Sequence, residues 1–156
     1  MDIIKLIPQD QINRVLNQEY CDIDMEFMGF LDIYESLSKI IPKHFTVIDL
    51  GCAYNAQCFY FADHARLVSV DLPLPTEQGK MERFTTSNCT IYETTIARFI
   101  ESHLQEFDQD ETFAICSYVP DWYGNNMELV RHSFKNAFTY YPHETMKVRI
   151  GKGVRQ

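Results

Sequence analysis

Val47-Ile48-Asp49-Leu50-Gly51-Cys52-Ala53-Tyr54-Asn55, followed by Ser69-Val70-Asp71-Leu72, decides how this chain is read. Phe45 to Leu50 is a short run of β-branched and aromatic residues, the composition of a buried strand. Gly51 breaks the run, and Asn55 to His64 then reads as a short helix burying Cys58, Phe59, Phe61 and Ala62. Leu67 to Val70 is a second strand. It ends in an acid, Asp71, 20 residues after Gly51. A strand, a tight glycine turn, a helix, and a second strand closing on a carboxylate form the geometry of a nucleoside site at the carboxyl edge of a parallel sheet. The glycine admits a ligand close to the backbone, and the acid accepts hydrogen bonds from two ribose hydroxyls.

Outward from that stretch, strands and helices alternate. Cys89 to Tyr92, Thr112 to Cys116 and Ala137 to Tyr141 read as three more strands, and Met146 to Ile150 as a short edge strand. Between them, Ile96, Phe99, Ile100, His103 and Leu104 form one helical stripe, and Met127, Val130 and Phe134 another. The order predicts an α/β fold: a Rossmann-like, mostly parallel sheet of about five to six strands with helices on both faces. Residues 1–44 read as an N-terminal helical cap. A first helix opens at Pro8 with Ile12, Val15 and Leu16 on one face. A longer one is capped by Asp22 or Asp24, carries Phe27, Phe30, Leu31, Tyr34, Leu37 and Ile41, and stops at Pro42. Residues 45–150 are the core, and 151–156 a loose tail. The stretch from Pro73 to Asn88 reads as a long polar connection.

The whole chain is 156 residues, a length for one domain. Apolar residues make up 46% and aromatics 13%, enough to build a packed core. With 14 Lys and Arg against 22 Asp and Glu, the net charge of −8 repels phosphate backbones, so nucleic acid is a poor partner. No stretch approaches the ~18 apolar residues of a membrane span, and the first residues lack the pattern of a signal peptide. The five cysteines (Cys21, Cys52, Cys58, Cys89 and Cys116) are odd in number and scattered, which argues against a disulfide frame or zinc site. A reducing cytoplasm is the expected location. His44, His64, His103, His132 and His143 show no ligand spacing and read as surface or helix-end residues.

Asp49-Leu50-Gly51-Cys52 resembles the first motif, D-x-G-x-G-x-G, of the class I S-adenosylmethionine-dependent methyltransferases, and Asp71 falls where that family keeps its ribose-binding acid. The resemblance covers about residues 45–141. Asp49 and Gly51 match the motif's first two fixed positions, whereas Ala53 and Asn55 stand where the family has glycines. Asn tolerates positive φ better than most residues. The resemblance implies S-adenosylmethionine as cofactor. Asp49, Gly51 and Ala53 would then lie beside its methionine end, Asp71 would hold the ribose, Leu72 would pack on the adenine, and Thr94 and Thr95 would belong to the adenine loop. It also implies a methyl-transfer pocket at Ser117-Tyr118-Val119-Pro120-Asp121-Trp122, with Tyr118 and Asp121 as candidate catalytic residues and Trp122 and Tyr123 as walls. That stretch is not the N/D-P-P-Y/F tetrapeptide of enzymes that methylate amino groups of nucleic acids. The expected acceptor is therefore a small molecule or a protein side chain.

The family's sheet has seven strands, the last two a reversed hairpin, and the 15 residues after Tyr141 hold one strand but no hairpin. Two other readings follow. In one, the chain is a degenerate relative, a binding module or partner subunit, because glycines and the hairpin are missing. In the other it is a nicotinamide-dependent oxidoreductase. A pyrophosphate, however, needs several glycines and a free helix N-terminus, whereas this turn has one glycine and an acid at its entrance. Asp49 and Gly51 also read simply as a strand-ending turn and Asp121 as a solvated acid; the resemblance implies N-terminal helices over the donor, with Tyr20 and the loop around Cys21 and Asp22 as lid residues. The basic tail from Lys147 to Arg155 reads as solvated.

Overall fold

The computed structural model describes residues 22–25, 30–74, 82–117, 119, 126–140 and 146–149. In chain order these form β1 (Asp22–Met25), α1 (Phe30–Ile40), β2 (Thr46–Leu50), a 3-10 helix (Ala56–Phe61), β3 (Arg66–Asp71), β4 (Cys89–Glu93), α2 (Ile96–His103), β5 (Thr112–Ser117), α3 (Asn126–Ser133), β6 (Ala137–Tyr140) and β7 (Met146–Arg149). They build one sheet in the order β1-β7-β6-β5-β2-β3-β4. Strands β6, β5, β2, β3 and β4 are mutually parallel. The fold is the expected α/β, Rossmann-like arrangement.

Period-two alternation sorts each strand's side chains between two cores. On one face Val47, Leu67, Phe113, Ile115, Phe138 and Tyr140 pack with Ile33, Tyr34, Leu37 and Ile41 of α1 and with Cys58 and Phe61 of the 3-10 helix. On the other, Ile48, Leu50, Val68, Val70, Ala114, Cys116 and Ala137 pack under α2 and α3 through Ile96, Phe99, Ile100, Met127 and Val130. Burial on both faces explains why β2, β3 and β5 read as continuous apolar runs. Helix α2 starts where the Thr95 hydroxyl accepts the Arg98 amide at 3.1 Å.

Two findings differ from the sequence reading. The sheet has seven strands rather than five or six, and the extra one, β1, comes from the segment read as wholly helical. It pairs antiparallel with β7, which pairs antiparallel with β6, so a strand from the N-terminal side forms this edge of the sheet. Asp22 and Asp24 thus sit in a strand, and the following helix begins at Phe30. Helix α1 packs into the core, as its apolar stripe indicates. Tyr34 and Leu37 are fully buried against the sheet. The first predicted helix (Ile12, Val15, Leu16), Phe27, the lid residues Tyr20 and Cys21, and residues 150–156 lie outside the described residues, whereas Lys147 and Arg149 of the basic tail belong to β7.

No described helix is long and apolar enough to cross a membrane. No disulfide joins the described cysteines Cys52, Cys58, Cys89 and Cys116.

Candidate functional site

Strand order reverses between β2 and β5: from β2 the chain moves outward to β3 and β4, then returns to β5 and β6 on the other side. Open α/β sheets present a crevice at the carboxyl ends of the strands at such a point. Here that position lies among the turn after β2, the tips of β3 and β4, and Val119 after β5.

The turn is unusual in its backbone. Gly51 has φ +91°, Ala53 φ +49° and Asn55 φ +64°, so every second residue is left-handed. These are the three positions at which the resembling motif places glycine, and only one of them is glycine here. The shape is kept by hydrogen bonds. The amides of Gly51 and Cys52 both donate to Val70 O, at 2.7 and 3.1 Å, and the Ala53 amide donates to Asp71 Oδ2 at 2.7 Å. Asn55 is buried and fully engaged. Its Oδ1 accepts from Ser69 Oγ at 2.8 Å, and its Nδ2 donates to Phe84 O at 3.0 Å.

Asp71 therefore faces the turn. Its other oxygen accepts the Leu72 amide at 2.7 Å, and a carboxylate with two such bonds still has a lone pair on each oxygen. Leu72 is half exposed beside it. Thr94 is brought to the same edge by its amide bond to Asp71 O at 2.9 Å, and Thr95 follows it, its hydroxyl engaged as the α2 cap. Asp71, Leu72, Ala53, Thr94 and Thr95 thus share one edge. Tyr118, Asp121, Trp122 and Tyr123 lie outside the described residues.

Asp49 sits beneath the turn and is buried. Gln57 Nε2 donates to its Oδ2 at 2.6 Å and also to Cys52 O at 3.2 Å, tying the 3-10 helix to the turn. Its Oδ1 accepts no hydrogen bond from any described residue. Loss of water pushes the carboxyl up to about 7; the Gln57 bond opposes the shift and the Asp71 charge adds to it. The Tyr34 hydroxyl, from α1, lies close by and faces Ser117 of β5. Burial foremost, and then the nearby Asp49 charge, push its ionisation well above the ordinary tyrosine value. Burial likewise raises the Cys52 thiol, so it is not poised as a nucleophile.

Two side chains give the site a form that the sequence reading missed. A Cβ added at Gly51 would overlap Val119 Cγ2, so the space over this glycine is taken by a side chain from the β5 loop. Arg83, from the connection after β3, is almost fully buried against the turn. Its Nε donates to Ala53 O at 2.6 Å, a second nitrogen donates to Leu72 O, and a third lies 3.2 Å from a Glu93 carboxylate oxygen. Arg83 bonds mainly to backbone carbonyls and so leaves no motif. Gln57 carries only the faint signal of its spacing from Asp49, and Tyr34 was legible only as core.

No protein-family model matches the chain, and no curated protein matches it.

Proposed function

We propose that this chain is a small S-adenosylmethionine-dependent methyltransferase, with its donor bound across the β2 and β3 tips and with a small molecule or a protein side chain as acceptor. The observation that carries the reading is the left-handed backbone at residues 51, 53 and 55 with Asp71 clasped to the middle one. A nucleoside edge site needs a bend that approaches the ligand and a carboxylate beside it. This bend is retained although two of its three positions carry a side chain.

The residues fit such a donor in charge as well. In this reading the lone pairs left on Asp71 accept the two ribose hydroxyls, Leu72 covers one face of the adenine, and Thr94 and Thr95 border its edge. The unpartnered Oδ1 of Asp49 is a buried acceptor at the methionine end, where an ammonium would hold the carboxylate in its charged form. When bound, the sulfonium supplies an electrophilic methyl group, so the chain's own task is alignment. Tyr118 and Asp121 stay our candidates for the acceptor side, and a cytoplasmic location accompanies the reading. A dinucleotide is disfavoured, because the amides of residues 51, 52 and 53 are already bonded within the protein and are not available to a pyrophosphate.

A second reading has its own observation. Val119 on Gly51 and Arg83 on Ala53 crowd the crevice, which favours a module that binds the nucleoside, or nothing, and serves as a partner subunit. Calorimetry with S-adenosylmethionine and with its demethylated product separates the two. Failure of both to bind at millimolar concentration overturns the donor site, and binding without turnover across an acceptor panel favours the module. In the variant Asp71→Ala two charge-assisted hydrogen bonds are lost, each worth roughly 1.5–3 kcal/mol. Donor affinity is expected to fall at least tenfold with the fold intact, and unchanged affinity would place the site elsewhere.

A further inference from the structure

Residues 83 and 84 run along the turn like a strap. Arg83 Nε donates to Ala53 O at 2.6 Å, Phe84 N donates to Tyr54 O at 3.0 Å, and Phe84 O accepts from Asn55 Nδ2 at 3.0 Å. Three successive turn residues are thus each bonded to the strap. On the opposite side β3 holds the same turn, with Asp71 on the Ala53 amide and Ser69 on the Asn55 side chain. The two substituted glycine positions, and not Gly51, are the ones gripped from both sides.

We infer that Arg83 is a positioning residue that holds the donor turn in its left-handed shape from outside at Ala53, where the motif has a glycine. A left-handed alanine relaxes by rotating its peptides unless both ends are fixed. At Ala53 the N–H is fixed by Asp71 and the C=O by Arg83, so one residue links the guanidinium to the ribose acid. Arg83 does not touch the donor in this scheme. It acts through Ala53 on the direction in which Asp71 points. Its planar fork spans three acceptors on the turn, the β3 tip and the β4 tip at once, which a single ammonium does not match.

The inference rests on the donor-site reading for its functional consequence, and two measurements on the full chain keep the two apart. Amide hydrogen exchange at residue 53 reads the turn alone. Arg83→Ala is expected to speed exchange of the Ala53 amide at least tenfold while the β2 and β5 amides keep their protection, and an unchanged rate at residue 53 overturns the inference. Calorimetry with S-adenosylhomocysteine reads the consequence. R83A is expected to weaken binding at least tenfold and R83K nearly as much, whereas A53G/R83A returns to within threefold of wild type, because glycine adopts the left-handed bend without the steric cost that alanine carries. A double variant as weak as R83A overturns the positioning role. If the wild-type chain binds no such nucleoside, the donor reading fails, and the exchange experiment still decides what Arg83 does. Should R83A fail to fold, R83K and A53G/R83K carry the same comparison.

Discussion

At Gly51 two constraints of different origin coincide. Its φ of +91° is one that L side chains rarely adopt, and the space where a Cβ would project holds Val119 Cγ2. The first constraint is a backbone cost of roughly 1–2 kcal/mol for any other residue, and the second is an overlap costing about 1–3 kcal/mol unless the valine moves. Gly51→Ala is therefore expected to destabilise the fold by about 2–5 kcal/mol in urea denaturation. Val119→Ala in the same chain should return only the overlap part. A double-mutant cycle separates the two; if V119A brings no recovery, the contact is not the source of the cost. Ala53 differs: its φ of +49° is strained, but its neighbours hold it. The turn therefore tolerates alanine at 53 and is expected to reject it at 51, although the motif writes glycine at both.

At the scale of elements, the parallel strands are extended on one side by two antiparallel ones. Strand β7 is antiparallel to β6, and β1 covers β7 through four residue pairs from Asp22↔Arg149 to Met25↔Met146. β1 is the edge strand on this side, and without it that role passes to β7. Deleting residues 1–26 is expected to cost about 2–4 kcal/mol from the lost ladder, read from urea denaturation; an unchanged denaturation midpoint would mean that β1 adds nothing. This strand also marks the limit of what the sequence discloses. The runs at β2, β3 and β5 are buried on both faces, so their composition alone identifies them. Asp22-Ile23-Asp24-Met25 is a strand because of β7, far along the chain, and two acids before a helical stripe read equally well as caps. The site divides in the same way. Gly51 and Asp71 were legible because a motif spaces them. Arg83 was not, because its partners Ala53 O and Leu72 O are carbonyls that every residue carries.

Across the whole molecule, two buried titrating groups at opposite ends of the sheet pull stability in opposite directions with pH. His64 lies before β3, at the amino edge. Its Nε2 is 3.0 Å from Ile41 O, and burial lowers its pKa below 6.5, with the nearby Lys43 charge reinforcing the shift and Asp63 and the Ile41 bond opposing it. The unfolded chain therefore takes up this proton more readily than the folded one, so the histidine's contribution is complete above about pH 6.5 and is lost as pH falls. Asp49 is the reverse. Its carboxyl titrates at about 7 when folded against 3.8 when unfolded, so the folded state holds the extra proton, and stability present below pH 3.8 is lost as pH rises toward 7. At about 1.4 kcal/mol per unit the loss is on the order of 4 kcal/mol. Asp49→Asn keeps the acceptor for Gln57 and removes the charge. Its stability advantage over wild type is expected to be small near pH 4, to grow steadily to pH 7 and to level off beyond, as read from urea midpoints at each pH. A constant difference across that range would show that Asp49 ionises in the folded chain as readily as in the unfolded one, so that burial does not raise its pKa. In the proposed reading the same variant binds the sulfonium donor more weakly, because a buried carboxylate that costs the empty protein stability is matched by a cationic ligand. A variant both firmer at pH 8 and poorer at binding would therefore identify Asp49 as a charge held ready for its partner, whereas one that is firmer and binds equally well would leave it a buried hinge of the turn.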